Sequence, residues 1–537
     1  MNIKYFYPRK ALAIPMLTLL IVVGSCKKFT DLQPNNSFSE TTAFTSTDRI
    51  ALAVTGVYSA AQSSPYTDGN NRGYPFGAAN TEQGDARGED VIAVPSFFLI
   101  TYGNTYDATT GNNTALWTSL YATINRANIV IEGLKGAVVS GVINDATELA
   151  YEGECRFLRA LCYHELLTHF AQPYSLSAGA AAGVPLQLSA ITSPSRVDEA
   201  KAKGRATVKE VTTQILADLD FAETNLPATR TGSLKVTRAT KGAAVAIKTR
   251  VKLDIGDYAG VITEGAKMGT SALAAPFTAP AGYGSYALTA SPDGPFSTVA
   301  ANGSNAESIF SIEHSTTRNA GTNGSISTMY SKTPGRGLIA ISPIIWDMPF
   351  WKTNDLRRTL LCINDGRAYF TSKYKDPATF TDYNPITRYA EVLLNVAEAY
   401  ARTTPSSSNA LALLNAIRNR SVPTVIDQYT AANFVGNGNA LIQAILDERR
   451  IEFLCEGKRW FDLHRLSTDA TFGGLGVPAK VAYANATFAT YTAGVPFAGT
   501  KSFVALPATN FRFLFPIPSL ETSSNPVLAA QQNPGYQ

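Results

Sequence analysis

Apolar residues recur at helical spacing through much of this chain, and the stretches in which they do so come in pairs. From Ser46 onward, Ile50, Val54, Val57 and Tyr58 share one face and predict a helix. WTSLYATINRANIVIEGL, residues 117–134, predicts another. Residues 147–170 place Tyr151, Cys155, Leu158, Cys162 and Leu166 on a single stripe at spacings of four and three. The run T-V-K-E at Thr207 to Glu210 has the form of a capping box, in which the Thr and Glu side chains satisfy each other's backbone donors. It opens a stripe of Val208, Val211, Ile215, Leu219, Ala222 and Leu226. Residues 238–268 predict two helices broken at Gly256-Asp257, a helical hairpin. Residues 388–402 with 409–420 predict a second hairpin, and 439–465 a third unit. The expected fold is therefore mostly α: tetratricopeptide-like helix pairs forming an α-α superhelix with irregular, loop-rich insertions, although the strict repeat pattern is absent.

Two insertions and a tail interrupt this array. Residues 63–113 are rich in Gly, Asn, Asp and aromatics and read as a long loop of the kind that carries function. Residues 269–387 form a second Gly/Ala/Ser/Pro/Tyr-rich excursion. The scaffold then occupies about 40–268 and 388–466. Beyond it, 467–537 ends in FPIPSLETSSNPVLAAQQNPGYQ, whose prolines forbid helix and predict an extended tail laid over the body.

The segment LDERRIEFLCEGKRWFDLHR, residues 446–465, is densely charged in a chain that is 16% charged overall. If one helix ran through Gly457, Ile442, Leu446, Arg449, Phe453, Glu456, Trp460 and Leu463 would lie on one side, with Arg449 and Glu456 interrupting an apolar stripe. Buried charges persist only when paired and hydrogen-bonded. The expectation is an internal ion network that fixes helix packing; the competing reading is a catalytic acid or ligand clamp.

At the N-terminus Lys4, Arg9 and Lys10 precede the uncharged, mostly apolar run 11–23, then Gly24-Ser25-Cys26. The apolar run is shorter than the roughly 20 residues that span a bilayer, so residues 1–25 read as a signal peptide. The small residues before Cys26 resemble a lipobox, in which the cysteine becomes acylated and anchors the protein to lipid. Without the leader's three cations the net charge falls from +4 to about +1, which gives no basic footprint for nucleic acid. Cys155 and Cys162 sit about 10.5 Å apart along a predicted helix, too far to bridge. With Cys362 and Cys455 they read as buried small apolar residues rather than a disulfide framework.

Other chemical signatures are weak. HELLTH, His164 to His169, spaces its histidines five apart instead of the four of a zinc protease helix, and four histidines in the whole chain argue against a metal site. G-x-S-x-G, G-x-x-x-x-G-K-[ST] and G-x-G-x-x-G do not occur, and the lone GNG at Gly436 to Gly438 follows no convincing strand. No cofactor, metal or catalytic residue is expected. A glycan hydrolase built on two converging carboxylates stands as a minor alternative.

Taken together, WTSLYATINRANIVIE, GECRFLRALCYHELLTHFAQP followed by GVPL, RATKGAAVAIKTRVKLDIGDY, ITRYAEVLLNVAEAYAR, ILDERRIEFLCEGKRWFDLHR and the proline-rich ending resemble, in order, the SusD/RagB family of surface nutrient-binding lipoproteins of Bacteroidetes-type bacteria. The resemblance implies four tetratricopeptide-like helix pairs in one unit from 26 to 537. It also implies an outer-membrane location facing the exterior, and a SusC-type TonB-dependent barrel as partner. Family members bind glycans or peptides without cleaving them, so the expected function is oligosaccharide capture, with peptide capture as the alternative. The resemblance assigns no ligand residues. Aromatic planes stack on the apolar faces of sugars, so the loop aromatics are the candidates: Tyr74, Phe76, Phe97, Tyr102 and Tyr106 with Asn104 in the first insertion, and Tyr330, Trp346 and Trp351 in the second.

Overall fold

A computed structural model describes residues 40–63, 73–94, 97–296, 305–474 and 476–536. The leader and Cys26 lie outside these residues.

The helices begin where side chains satisfy their first free N–H groups. α1 (Thr47–Gln62) is capped by Ser46, which accepts from the Arg49 N–H, and it buries Ile50, Val54 and Val57. After the short α2 (Ala78–Ala86) come the two longest helices, α3 (Gly111–Val139) and α4 (Asp145–Phe170), the latter capped by Asn144. The expected capping box is present at the start of α5 (Val208–Asn225), and its whole predicted stripe is buried. α6 (Lys241–Asp254) and α7 (Tyr258–Lys267) turn at Gly256, whose φ of 75° suits glycine, and Asp257 caps the second helix. α8 (Tyr389–Thr403) and α9 (Ser408–Ser421) form the next hairpin, followed by α10 (Gly438–Glu452) and α11 (Arg459–Leu466).

Packing follows chain order: α3 lies on α1 and α4, α4 on α5, α5 on α6, α6 on α7, and α7 on α8. α8 then contacts α9 and α10. Small residues permit the crossings. A Cβ added at Gly265 of α7 would stand 2.3 Å from the Val396 side chain of α8. One apolar cluster runs from Ile50 to Leu528 through all of these helices. Among the described residues no helix is long and apolar enough to cross a membrane.

The insertions contain regular structure that hydrophobic patterning did not reveal. The first holds α2 and β1 (Val91–Ala93), and the second holds β2 (Ser308–Ile312), β3 (Ile339–Ile341), β4 (Cys362–Asn364), β5 (Tyr369–Thr371) and β6 (Asn384–Arg388). Antiparallel pairing gives a sheet of order β1-β3-β5-β4, joining the two insertions, and a separate β2-β6 ribbon. The tail also departs from expectation. It does lie over the body, with Phe513, Phe515 and Ile517 buried and the Phe515 N–H donating to His169 O. Yet it contains short helices at Ser519–Thr522 and Pro526–Ala530, because Pro526 stands at a helix start, where its missing N–H costs nothing.

The charged segment differs from a continuous helix in the same way. The chain breaks between Glu452 and Arg459, where Cys455 has φ 63° and Gly457 φ 74°, and the Gly457 N–H donates to Asp85 Oδ1 at 2.9 Å. Arg449 and Glu456 thus do not share a stripe, and each is paired separately. Arg449 meets Asp462 at 2.9 Å and Asn395 at 2.6 Å. Glu456 accepts from Arg388 at 2.8 Å and Lys373 at 2.6 Å. The expected internal ion network is there.

At its centre five cations (Arg357, Lys373, Arg388, Arg418, Arg420) face five carboxylates (Glu307, Asp355, Glu448, Glu452, Glu456), all nearly inaccessible to solvent. Burial alone would raise the Glu452 carboxyl, but Arg420, Arg388 and Arg357 outweigh it and hold the group well below its ordinary value. Removing one partner of such a buried pair strands the other charge, which costs about 3–5 kcal/mol. Arg388→Met should lose about that much stability in urea denaturation, whereas Arg196→Ala, at the half-exposed pair with Glu132, should lose under about 1 kcal/mol. Equal losses would remove the network's structural role.

His464 of α11 gives a pH signature. Burial pushes its pKa down to about 3, against the bond its Nε2 makes to Ala171 O. The folded value lies below the unfolded value of about 6.5. Within that window the unfolded chain binds a proton that the folded chain refuses, so stability falls as pH drops from about 6.5 toward 3. His464→Gln, which keeps a donor for Ala171 O, should flatten the stability–pH slope by up to about 1.4 kcal/mol per unit. Unchanged urea midpoints across this range would exclude His464 as the titrating group.

Candidate functional site

The hairpin of β4 and β5 is the local structure around which a site forms. Its turn sequence is Asn364-Asp365-Gly366, a strong hairpin signal between apolar pairs. Asn364 Oδ1 accepts from the Gly366 N–H at 2.7 Å. Asp365 Oδ1 accepts from the N–H groups of Arg367 and Ala368, both at 2.9 Å. Gly366 takes a φ of 89°, which only glycine adopts freely. Both feet of the hairpin are fixed by the ion network. Arg357, before β4, bonds Glu448 and Glu452, and Lys373, after β5, bonds Glu456 and the carbonyls of Glu452 and Leu454.

A cleft of about 530 Å³ opens between this hairpin, the 331–334 turn and residues 371–377. Its lining is mixed: Lys332, Asn364, Asp365, Ser372 and Lys375 supply polar groups, and Ile363, Pro334, Tyr374 and Pro377 supply apolar surface. The Lys332 ammonium stands 3.9 Å from the Asp365 carboxylate and 5.3 Å from the Phe370 ring centre. Amide, carboxylate, ammonium and hydroxyl groups in one open cleft suit a ligand rich in hydroxyls.

Aromatic rings adjoin the same hairpin. Tyr369 of β5 stacks on Trp346 with centroids 3.7 Å apart and planes 17° apart, and it lies 5.2 Å from Tyr491 and 6.0 Å from Phe488. Phe488 is 49% exposed, and Tyr369, Tyr483 and Tyr491 are half-buried. Arg367, at the turn, lies 4.4 Å over the Tyr483 ring and donates to Tyr483 O. Tyr483, Phe488 and Tyr491 belong to a stretch, Val481 to Thr500, with no charged residue at all. That absence of charge, together with the N-D-G turn, was the available sequence signal. Assigning 467–537 to a tail hid it.

The structure places the sequence candidates differently. Eight of the nine are under a tenth exposed. Tyr74 donates to Gln83, and Tyr102 donates to Val91 O and Val481 O. Tyr106 reaches Arg512 O and packs edge-on against Phe515. Tyr330 donates to Asp85 at 2.6 Å, and Phe76 and Asn104 are enclosed. Trp351 packs against Trp346, with Arg358 about 4.3 Å over its ring. Their faces are spent on protein neighbours, because an insertion with its own secondary structure needs its own core. Phe97 alone is half-buried, against Phe98. Trp346 is enclosed too, yet it supports Tyr369 from beneath and so belongs to the site as a base. The HELLTH histidines also part company: His164 Nε2 pairs with Asp254 at 2.7 Å, while His169 stacks on Phe515.

Comparison with known proteins agrees with this architecture. The SusD family profile matches residues 354–536, and a second profile, described as starch-binding and associating with the outer membrane, matches residues 28–253. SusD-like protein P2 of Formosa agariphila is 25% identical over 410 residues, which cover 68% of this chain and 74% of that protein. The crystal structure of a SusD superfamily protein from Bacteroides fragilis superimposes with a TM-score of 0.74 at 26% identity, covering 90% of this chain and 99% of that one. Surface glycan-binding protein A from Bacteroides uniformis shares the fold, with a TM-score of 0.66 at 20% identity over 91% and 100% of the two chains. The two matched segments hold nearly all of the helix-pair body, and the chain belongs to the SusD family.

Proposed function

We propose that the protein is a surface lipoprotein, its mature unit running from Cys26 to residue 537, that binds oligosaccharides without cleaving them and passes them to a SusC-type TonB-dependent barrel. The observation that carries the binding reading is the half-exposed ring cluster of Tyr369, Tyr483, Phe488 and Tyr491 on the β4–β5 hairpin that also walls the cleft. Stacked rings take the C–H face of a sugar, and Asn364, Asp365, Lys332 and Ser372 take its hydroxyls. Membership of a family with glycan-binding representatives supports the same ligand class. The leader and Cys26 support an outer-membrane lipid anchor, with the body held at the exterior face.

Phe488 makes no enclosed packing, so Phe488→Ala should leave the melting temperature within about 2 °C. It should weaken binding of a hexasaccharide about tenfold or more, measured by calorimetry against malto-, laminari- and xylo-oligosaccharides. Binding restricted to a peptide panel would replace the ligand class. Separately, Cys26→Ser should release the protein from the membrane fraction and abolish incorporation of labelled palmitate; retention of both would refute the anchor.

A further inference from the structure

A second pocket lies far along the chain from the hairpin site, between α3, the 185–191 segment, the helix Pro194–Lys201 and the two short C-terminal helices. Its volume is about 240 Å³, below the roughly 300–1,000 Å³ of sites for drug-sized ligands. One wall is aromatic: Tyr121 of α3 is half-buried, held in place by its bond to Pro185 O at 2.8 Å and backed by the enclosed Trp117, whose centroid lies 4.9 Å away. Glu521, Ser524 and Asn525 of the C-terminal segment, with Gln187 and Lys201, supply the polar part of the lining.

The walls are fixed before any ligand arrives. Asn525 Nδ2 donates to Lys203 O at 3.0 Å, and Arg205 reaches Gln531 O and Asn533 Oδ1, so the C-terminal helices are tied to the 203–205 segment. Two groups in this pocket are left with work to do. The Trp117 indole N–H, on a residue 1% exposed, has no partner in hydrogen-bonding geometry, although it lies near enough to Glu521 to oppose the rise in that carboxyl's pKa. Burial is the larger influence and raises Glu521 above the ordinary carboxylate range, so the group is partly desolvated without a cation to compensate.

We propose that this pocket is a second glycan subsite, which takes one neutral sugar ring with its C–H face toward the half-buried Tyr121, which Trp117 backs, and a pair of hydroxyls on Glu521. The proposal rests on the glycan reading of the hairpin site. The pocket admits one ring by volume. A carboxylate accepts two hydroxyl donors at once, and the amide of Gln187 and the hydroxyl of Ser524 extend the set. Lys201, also on the lining, disfavours a cationic occupant such as a lysine side chain.

The test uses the full mature chain in three variants: Phe488→Ala at the hairpin, and Ala200→Trp and Glu521→Gln here. Ala200 is on the pocket lining and half-exposed, so a tryptophan there fills the space without opening the core. Saturation-transfer NMR with methyl glucoside, galactoside and xyloside should give signals in the wild type that survive Phe488→Ala and vanish in Ala200→Trp. Glu521→Gln should weaken the same binding about tenfold or more, the worth of a charge-assisted hydrogen bond. Signals that persist in both pocket variants would overturn the subsite. If hexasaccharide binding falls with Phe488→Ala and ignores both pocket variants, the subsite fails while the hairpin reading stands. No glycan response from the wild type would end both, and a pocket response confined to lysine-containing peptides would overturn the choice of a sugar.

Discussion

Arg388 stands where five stretches of chain meet. Its guanidinium reaches Glu307 before β2, Glu452 at the end of α10 and Glu456 in the turn beyond. Glu307 and Glu452 in turn hold Arg420 at the end of α9, and Glu452 also holds Arg357 in the second insertion. Desolvated charges of this density are tolerable only when every member has its partners. The balance of five cations with five carboxylates is met only once the insertion and both helical units have docked. The network therefore binds architecture together by exclusion: partial assembly leaves a charge stranded.

That constraint explains how a loop-rich insertion can present a defined surface. The β4–β5 hairpin is short, and a lone two-stranded hairpin is marginal in water. Here Arg357 and Lys373 fix its two feet to α10 and the turn after it. Trp346 lies under Tyr369, and Tyr491 bonds back to Ile341 O of β3. The ring cluster is thus held in place by the protein itself, which lowers the ordering cost of the binding proposed for it.

The helical array was legible because 3.6-residue periodicity and caps are local signals: Ser46, the Thr207–Glu210 box and Gly256-Asp257 each mark a boundary that the structure keeps. The internal role of the charged segment was legible too, from the arithmetic of burial. Its geometry was not. Whether Glu452 ends a helix depends on Cys455 adopting a positive φ and on Gly457 donating to Asp85, a residue some 370 positions away. Strands of three residues carry too little alternation to read, so β1, β3, β4 and β5 were seen only as loops. The site suffered most. Aromatics in a loop-like context fill the core of an insertion as readily as they face solvent, and sequence does not separate Tyr102, which is enclosed, from Phe488, which is half bare.

The fixed feet of the hairpin have an evolutionary implication. Arg357 and Lys373 bracket a stretch whose turn residues, Asn364 to Arg367, are exposed and make no bond to the ion network. Substitution, lengthening or replacement of that tip leaves the buried charge balance untouched. The proposed binding face is free to vary there while the scaffold that holds it stays intact.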